Sequence, residues 1–358
     1  MKVSNIMHVA MRPFFTFRKR MPLISYIAGR FATMAAILFV LGFAIFGLME
    51  LAPGDIVDQV VMQQVFSGAD AGTKADRTLT AEQIEATRAS LGLDKPFYAQ
   101  YFRWLKRVFV NHDLGTSLVS RAPVLFLIGT RLANSILLNL ISLVFITIFS
   151  FALGVFFSSK VGTRTDLVAT FAALTLHAFP GILLLILLQL FASVSGLFPV
   201  TGYPDFPFAE APIKFTFSYA HHVFLPLLSA FLVEVGGTMR MIRATMLDQL
   251  GQPYVTSLRA RGIGEFRVYF NHAFRNTLNP YITGSANLLA GLFSGSLVLE
   301  IIFAYPGIGR LMYEAVMQED VNLVLANIMF ISFLVLLGMV LADIALALVD
   351  PRIRYGKE

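Results

Sequence analysis

Three carboxylates stand inside or beside long apolar stretches of this chain: Glu234, Glu300 and Asp343. A charge held at the centre of a bilayer costs about 2.5–3.5 kcal/mol on insertion scales, so such an acid faces a bundle interior, a cavity or a partner. One use is to receive an amino group on a solute. Interhelical hydrogen bonding, or snorkelling towards an interface, accounts for the same residues without any ligand. Glu234 lies nearer the middle of its stretch, and Glu300 precedes a Tyr305-Pro-Gly turn. His177, His221 and His222 are the candidate metal ligands. The adjacent pair His221-His222 lacks the i, i+4 spacing that puts two ligands on one helix face, and no His-Glu-x-x-His motif occurs. No metal site is expected. With zero cysteines the chain has no disulfide, thiolate metal site, iron–sulfur cluster or cysteine nucleophile. There is no nucleophile elbow and no Gly-x-x-x-x-Gly-Lys-[Ser/Thr] phosphate loop. No residue is assigned a catalytic role, and any use of ATP must lie on another chain.

The elements that hold these residues follow from composition. The chain has 358 residues, 56% hydrophobic and only 14% charged, against about 25% charged in a soluble domain. Its mean hydropathy is +0.71. There is too little polar surface to cover two or three soluble domains, so a bilayer is the solvent for much of the chain. A hydrocarbon core of about 30 Å needs about 20 apolar residues per helix. Six runs qualify: Phe31 to Met49, Ser135 to Phe157, Leu167 to Val194, Val223 to Met239, Ile282 to Phe303 and Leu323 to Val349. The fourth is the shortest and carries Pro226 near its start. The first reads as a retained signal anchor, because its apolar run is longer than the 7–15 residues of a cleaved signal peptide.

Charge sets the orientation. Lys2, Arg12, Arg18, Lys19, Arg20 and Arg30 precede the first run without an acid. Lys160 and Arg164 follow the second, and Arg240, Arg243, Arg259, Arg261, Arg267 and Arg275 follow the fourth. The tail holds Arg352, Arg354 and Lys357. The positive-inside rule puts both termini in the cytoplasm, which an even number of spans satisfies. The net charge of +6 reflects this asymmetry and does not argue for nucleic acid. Setting topology accounts for most of these basic residues.

Two connections are elaborate. The external one, residues 52–130, contains a capping box, Thr80 with Gln83, and Gly92 placed to end that helix. Pro96 opens a second helix whose Phe97, Tyr101, Trp104, Leu105, Val108 and Phe109 share one face. This helical cap either meets an external partner or packs onto the spans. The cytoplasmic one, residues 240–279, holds a short helix from Tyr254 to Arg261. Pro253 suits its first turn, and Gly262 sits where a left-handed cap would end it. A second basic helical stretch follows from Glu265 to Thr277. A short helix held out on a turn suits docking to a cytoplasmic protein.

That loop, Gln252-Pro-Tyr-Val-Thr-Ser-Leu-Arg-Ala-Arg-Gly262 followed by Phe270-Asn-His-Ala-Phe-Arg-Asn-Thr-Leu-Asn-Pro280, resembles the coupling loop of type I ABC importer permeases, closest to the oligopeptide/dipeptide/nickel permease family. Leu51-Ala-Pro-Gly-Asp55, Leu91-Gly-Leu-Asp-Lys-Pro96 with Gln100-Tyr-Phe-Arg-Trp-Leu105, Asp113-Leu-Gly-Thr-Ser117 with Ala122-Pro-Val124, Tyr305-Pro-Gly-Ile-Gly309 and Asp350-Pro-Arg-Ile-Arg-Tyr-Gly356 agree in the same order. The chain departs from the family pattern at Pro253, where an acid is usual, at Thr256 for an Arg, at Leu258 for an Ala, and at Glu319-Asp-Val-Asn322 for Arg-Asp-Tyr-Pro.

The resemblance implies an all-α integral membrane protein with six transmembrane helices. It divides the chain into a cytoplasmic segment 1–30, a first transmembrane helix 31–51, the external helical segment 52–130, a transmembrane core 131–350 and a cytoplasmic tail 351–358. It implies a non-enzymatic, multi-pass permease subunit of the bacterial or archaeal cytoplasmic membrane, in an ATP-driven, binding-protein-dependent importer. Its partners would be a second permease, making a heterodimer, two ATPase subunits carrying ATP and Mg, and an external solute-binding protein. Tyr254, Val255, Leu258, Arg259, Arg261 and Gly262 would couple the chain to an ATPase, and Glu234, Glu300 and Asp343 would border the substrate path. Peptides are the default solute; nickel chelates, opines, glutathione or oligosaccharides are alternatives within the class. The other reading is a secondary transporter driven by an ion gradient, although no internal repeat of that class is visible.

Overall fold

A computed structural model describes residues 22–51, 95–278, 281, 291–292, 296–318 and 320–349. Among these residues the structure is helical, with one isolated β-bridge between Thr116 and Pro123. Four long helices carry apolar windows of spanning length: α1 (Pro22–Leu51), α3 (Val124–Ser158), α6 (Pro212–Leu250) and α12 (Val321–Val349). Between them come α2 (Phe97–Asn111), α4 (Arg164–Ala178), α5 (Gly181–Ser195), α7 (Pro253–Ala260), α8 (Glu265–Arg267), α9 (Phe274–Thr277), α10 (Leu297–Ile302) and α11 (Ile308–Met317). The apolar windows of α1 and α3 are each only 17% buried within the chain. Their outward side chains are large and apolar, including Val40, Phe126 and Ile148. In a water-soluble protein side chains of this kind are mostly turned inward. An apolar solvent is the physical reason that helices with the opposite pattern form, since a helix satisfies its own backbone groups there.

The third expected span, Leu167 to Val194, is not one helix. It breaks into α4 and α5, which meet at 93°. Pro180 has no N–H and disfavours helical geometry in the residue before it; accordingly Phe179 is extended, at φ −73 and ψ 132. Pro226, by contrast, lies inside an unbroken α6. That helix has 39 residues, about 58 Å at 1.5 Å per residue, so the expected span Val223 to Met239 is only its middle. The expected span Ile282 to Phe303 falls mostly outside the described residues, as do the capping box of Thr80 and Gln83, the residues before Pro22 and the tail beyond Val349.

The chain divides into two compact units. One comprises residues 1–130, 312–340 and 347–358, and the other residues 131–311 and 341–346. In the first, α2 lays its aromatic face on α1. Tyr101, fully buried, and Trp104 pack with Phe46, Leu325 and Met329, and the Tyr101 hydroxyl donates to the Phe39 carbonyl at 2.9 Å. The helices meet so closely that a Cβ on Gly42 would lie 2.8 Å from the Tyr101 ring. Packing onto a span is therefore what this face does. Phe109, expected on the same face, is exposed instead, because it stands at the far edge of the arc. The same unit closes through Asp320, which lies in the departure at residues 319–322. Buried Asp320 receives the Ser117 hydroxyl and, through Oδ1, the Leu323 N–H at 3.1 Å, capping α12. Asn322 donates to the Thr116 carbonyl at 3.1 Å.

In the second unit, α6 is the axis. Small residues allow close approach: a Cβ on Gly236 would meet the Ala173 carbonyl oxygen of α4 at 2.7 Å, and one on Gly154 of α3 would meet Ile242 at 2.7 Å. Such contacts replace the missing hydrophobic drive between helices in lipid. A core of Leu138, Leu185, Tyr219, Leu225, Phe303 and Tyr305 joins α3, α5, α6 and α10.

Candidate coupling site and membrane cavity

The far end of α6 carries a fixed base for α7. Ile242 and Met246 of α6 pack with Val155 of α3 and Ala273 in a helical segment that follows α7. That segment runs from α8 through a π-helical stretch (Val268–Ala273) into α9, so its limits are the expected Glu265 and Thr277. Asp166, in the first turn of α4, receives both arms of the Arg243 guanidinium at 2.9 and 2.7 Å. The planar fork of Arg matches a carboxylate in this way. Asp166 is only 7% exposed, and the Gly162 N–H and its own helix N-terminus also face it. Charge counting assigns Arg243 to topology; the pair has no signal in the sequence, because its members are 77 residues apart.

On this base α7 is held at both ends. Its last turn closes with the Gly262 N–H to the Arg259 carbonyl at 2.9 Å and the Ile263 N–H to the Leu258 carbonyl at 3.2 Å. This is the two-bond Schellman closure, and Gly262 has the left-handed φ of +76 that it requires. Nothing lies within 4 Å of a Cβ built there, so the constraint on this residue is torsional. The Tyr254 hydroxyl donates to Gln249 Oε1 at 3.2 Å and accepts from Asn276 at 3.3 Å. Arg259 makes a two-pronged pair with Glu265, at 2.8 and 3.1 Å. This bond holds the Glu265 carboxyl below its ordinary range and raises the Arg259 guanidinium.

The expected coupling residues therefore divide. Val255 is fully buried and anchors α7 to the protein. Tyr254 and Leu258 are half-buried, and Arg259, Arg261 and Gly262 are exposed. Thr256 and Ser257, which sequence reasoning passes over as contacts, share the exposed side.

The acids divide as well. Glu300 has no exposed surface. Ser135 donates to its Oε1 at 2.6 Å and the Arg310 N–H to its Oε2 at 2.9 Å. The turn Tyr305-Pro-Gly-Ile-Gly309 wraps it so tightly that a Cβ on Gly307 would overlap its Cδ and both carboxylate oxygens. A carboxylate enclosed in this way holds the N-terminus of α11, so the structure gives Glu300, expected beside the substrate path, a packing role within the chain. Asn134 and Tyr305 close the same knot: the amide donates to the Pro306 carbonyl at 3.0 Å and the phenol to the Asn134 carbonyl at 2.8 Å. Asp343 is half-buried on α12 and is engaged by another group of the chain. Glu234 is exposed on α6 and lines a cavity of about 350 Å³ with Asn139, Ile182, Leu185, Ser229 and Leu299. His221 and His222 each bond a backbone carbonyl, Leu197 at 3.0 Å and Ser218 at 2.8 Å.

Long helices with outward-facing apolar side chains define a helical membrane protein. Comparison with known proteins gives the family. Residues 150–355 match "Binding-protein-dependent transport system inner membrane component", and residues 23–152 match the N-terminal part of such a membrane component. The oligopeptide transport system permease protein AppB of Bacillus subtilis is 34% identical over 327 residues, covering 90% of this chain and 98% of the relative. A putative peptide transport system permease protein of Brucella abortus is 32% identical over 327 residues, covering 91% and 98%. The glutathione transport system permease protein GsiC of Escherichia coli is 29% identical over 334 residues, covering 93% and 100%. The chain belongs to this family, the type I ABC importer permeases. It is a multi-pass inner-membrane permease component and not itself catalytic, and it works with ATPase and binding-protein components.

Proposed function

We propose that this chain forms the membrane path for peptides in an ATP-driven, binding-protein-dependent importer. The observation that carries the reading is α7: a short helix with a Schellman closure, anchored by Val255 and Tyr254 and exposing Thr256, Ser257, Arg259, Arg261 and Gly262. The printed descriptions of the relatives supply the solute class. In this reading one permease partner, two ATPase subunits with ATP and Mg, and an external solute-binding protein complete the importer. Both termini and α7 lie in the cytoplasm, and residues 52–130 lie outside.

ATP binding closes the ATPase pair, and the exposed edge of α7 moves with the groove that receives it. Because α7 is fixed to α6 through a packed base, and α6 to α4 through Arg243 and Asp166, the displacement passes to the spans as a rigid movement. The spans then alternate between outward and inward access. The test is affinity purification of the tagged chain from native membranes in mild detergent, with the bound proteins identified by mass spectrometry. An ATPase with a phosphate loop and a second permease are expected, together with ATP-dependent peptide uptake by the reconstituted assembly. Recovery of the chain alone, active in uptake driven by an ion gradient, would overturn the reading.

A further inference from the structure

The cavity that contains Glu234 exists because the third span is broken. Gly181 and Ile182, the first residues of α5 after the 93° bend, line it together with Leu138 and Asn139 of α3 and Ser229 and Glu234 of α6. An unbroken helix would send α5 onward in line with α4 and leave these side chains without a shared concavity. Its volume, about 350 Å³, falls within the roughly 300–1,000 Å³ typical of ligand sites.

The lining is chemically lopsided. Glu234 is the one charged group among the described residues that line the cavity. The hydroxyls of Ser142 and Ser229 are engaged by their own helices, donating to the Leu138 and Pro226 carbonyls at 2.8 and 2.7 Å. The Asn139 amide donates to the Leu292 carbonyl at 3.1 Å. No hydrogen bond or ion pair of Glu234 occurs among the described residues, whereas Glu300 in the same unit has a full set of partners and is completely enclosed. A carboxylate that is the one charge among the described residues lining an otherwise neutral concavity concentrates cations and excludes anions.

We infer that this cavity is a transient site for a positively charged group, a primary ammonium in particular, on the solute that passes through the permease. The inference rests on the permease reading and adds to it the charge of the group that the membrane path accepts. Glu234 supplies the counter-charge, and Leu185 and Leu299 supply an apolar wall for the rest of the solute.

The absence of cysteine makes a direct test possible. Ile182→Cys places the one thiol of this chain on the cavity wall, read on this subunit after separation from its partners, and Val298→Cys provides a second reporter should the first variant fail to assemble. In the assembled importer in native membranes, the thiol is modified with aminoethyl methanethiosulfonate, which carries a primary ammonium, and with its sulfonatoethyl counterpart, which carries an anion. The ratio of the two rates is measured with Glu234 present and with Glu234→Gln. The expected result is that the substitution lowers the ratio of cationic to anionic modification by about tenfold. An unchanged ratio would overturn the inference. No reaction of either reagent at either position would also overturn it, because the cavity would then be sealed. The rates are read without transport, so either outcome alongside intact ATP-driven uptake sinks this site alone. Loss of the importer reading itself would show as uptake that does not need ATP.

Discussion

Glu300 and Glu234 are the same residue type in similarly apolar surroundings, yet they have opposite fates. Glu300 is consumed by Ser135, the Arg310 N–H and the turn at Gly307. Replacing it with Ala strands several buried donors at about 1–3 kcal/mol each. Glu300→Ala should therefore lower the thermal midpoint of the detergent-solubilised protein sharply and reduce its yield, and Glu300→Gln, which keeps the acceptor oxygen, should recover part of the loss. Asp166 and Arg243 pose a different question. Removing one member of a buried pair costs about 3–5 kcal/mol because the other charge is left unpaired, and this part-buried pair, with Arg243 23% exposed, should cost less. Arg243→Met should destabilise the assembly, and the exchange Asp166→Arg with Arg243→Asp should restore more stability than coupled ATP hydrolysis, since the fork geometry reverses across the helices. Stability and coupled hydrolysis of the single and double variants check this. The intramembrane acids can be picked out from sequence as unusual. Which of them is enclosed cannot, because Ser135 and Glu300 are 165 residues apart and only the packed chain brings them together.

At the level of elements, the end of α7 is legible because a glycine followed by a change of helical phase is a local signal. Gly262→Val should abolish transport-coupled ATP hydrolysis while membrane insertion stays normal, since a β-branched residue resists φ +76. Coupled hydrolysis at the wild-type level in that variant would refute the assignment of α7. The Arg259–Glu265 pair predicts a pH dependence. Because Glu265 is held below its ordinary range, the pair is present above that range and is lost only as pH falls through the lowered value. Spin labels at Ser257 and Phe266 should give a narrow distance distribution at neutral pH that broadens only in acid, whereas Glu265→Gln should be broad throughout. The broken third span is hidden behind a continuous apolar run. Hydropathy averages over Phe179-Pro180-Gly181, and the bend is decided by one missing N–H. The length of α6 is underestimated for the converse reason: its polar end continues the helix beyond the apolar window, where periodicity no longer marks it.

The whole molecule is legible as a class, from composition, the order of its spans and the ordered set of short motifs. Its internal joints are not, since most of them link residues far apart in the chain. One such joint has a bearing on biogenesis. Ser117 is closed by Asp320, 203 residues later, and Tyr101 and Trp104 share a core with Leu325 and Met329. The earliest part of the chain to emerge is thus completed by the last span to arrive. At about 5–20 residues per second, the ribosome needs roughly 10–40 s to supply the missing helix. During that interval the aromatic face of α2 has α1 but no α12. A chain stopped shortly before residue 321 should insert its earlier spans and still present this unfinished surface to membrane chaperones and proteases, so that completeness of translation is sensed at the N-terminal end of the protein. Pulse-chase of such a truncation beside the full chain should show a markedly shorter lifetime, and co-expression of residues 312–358 as a separate fragment should lengthen it.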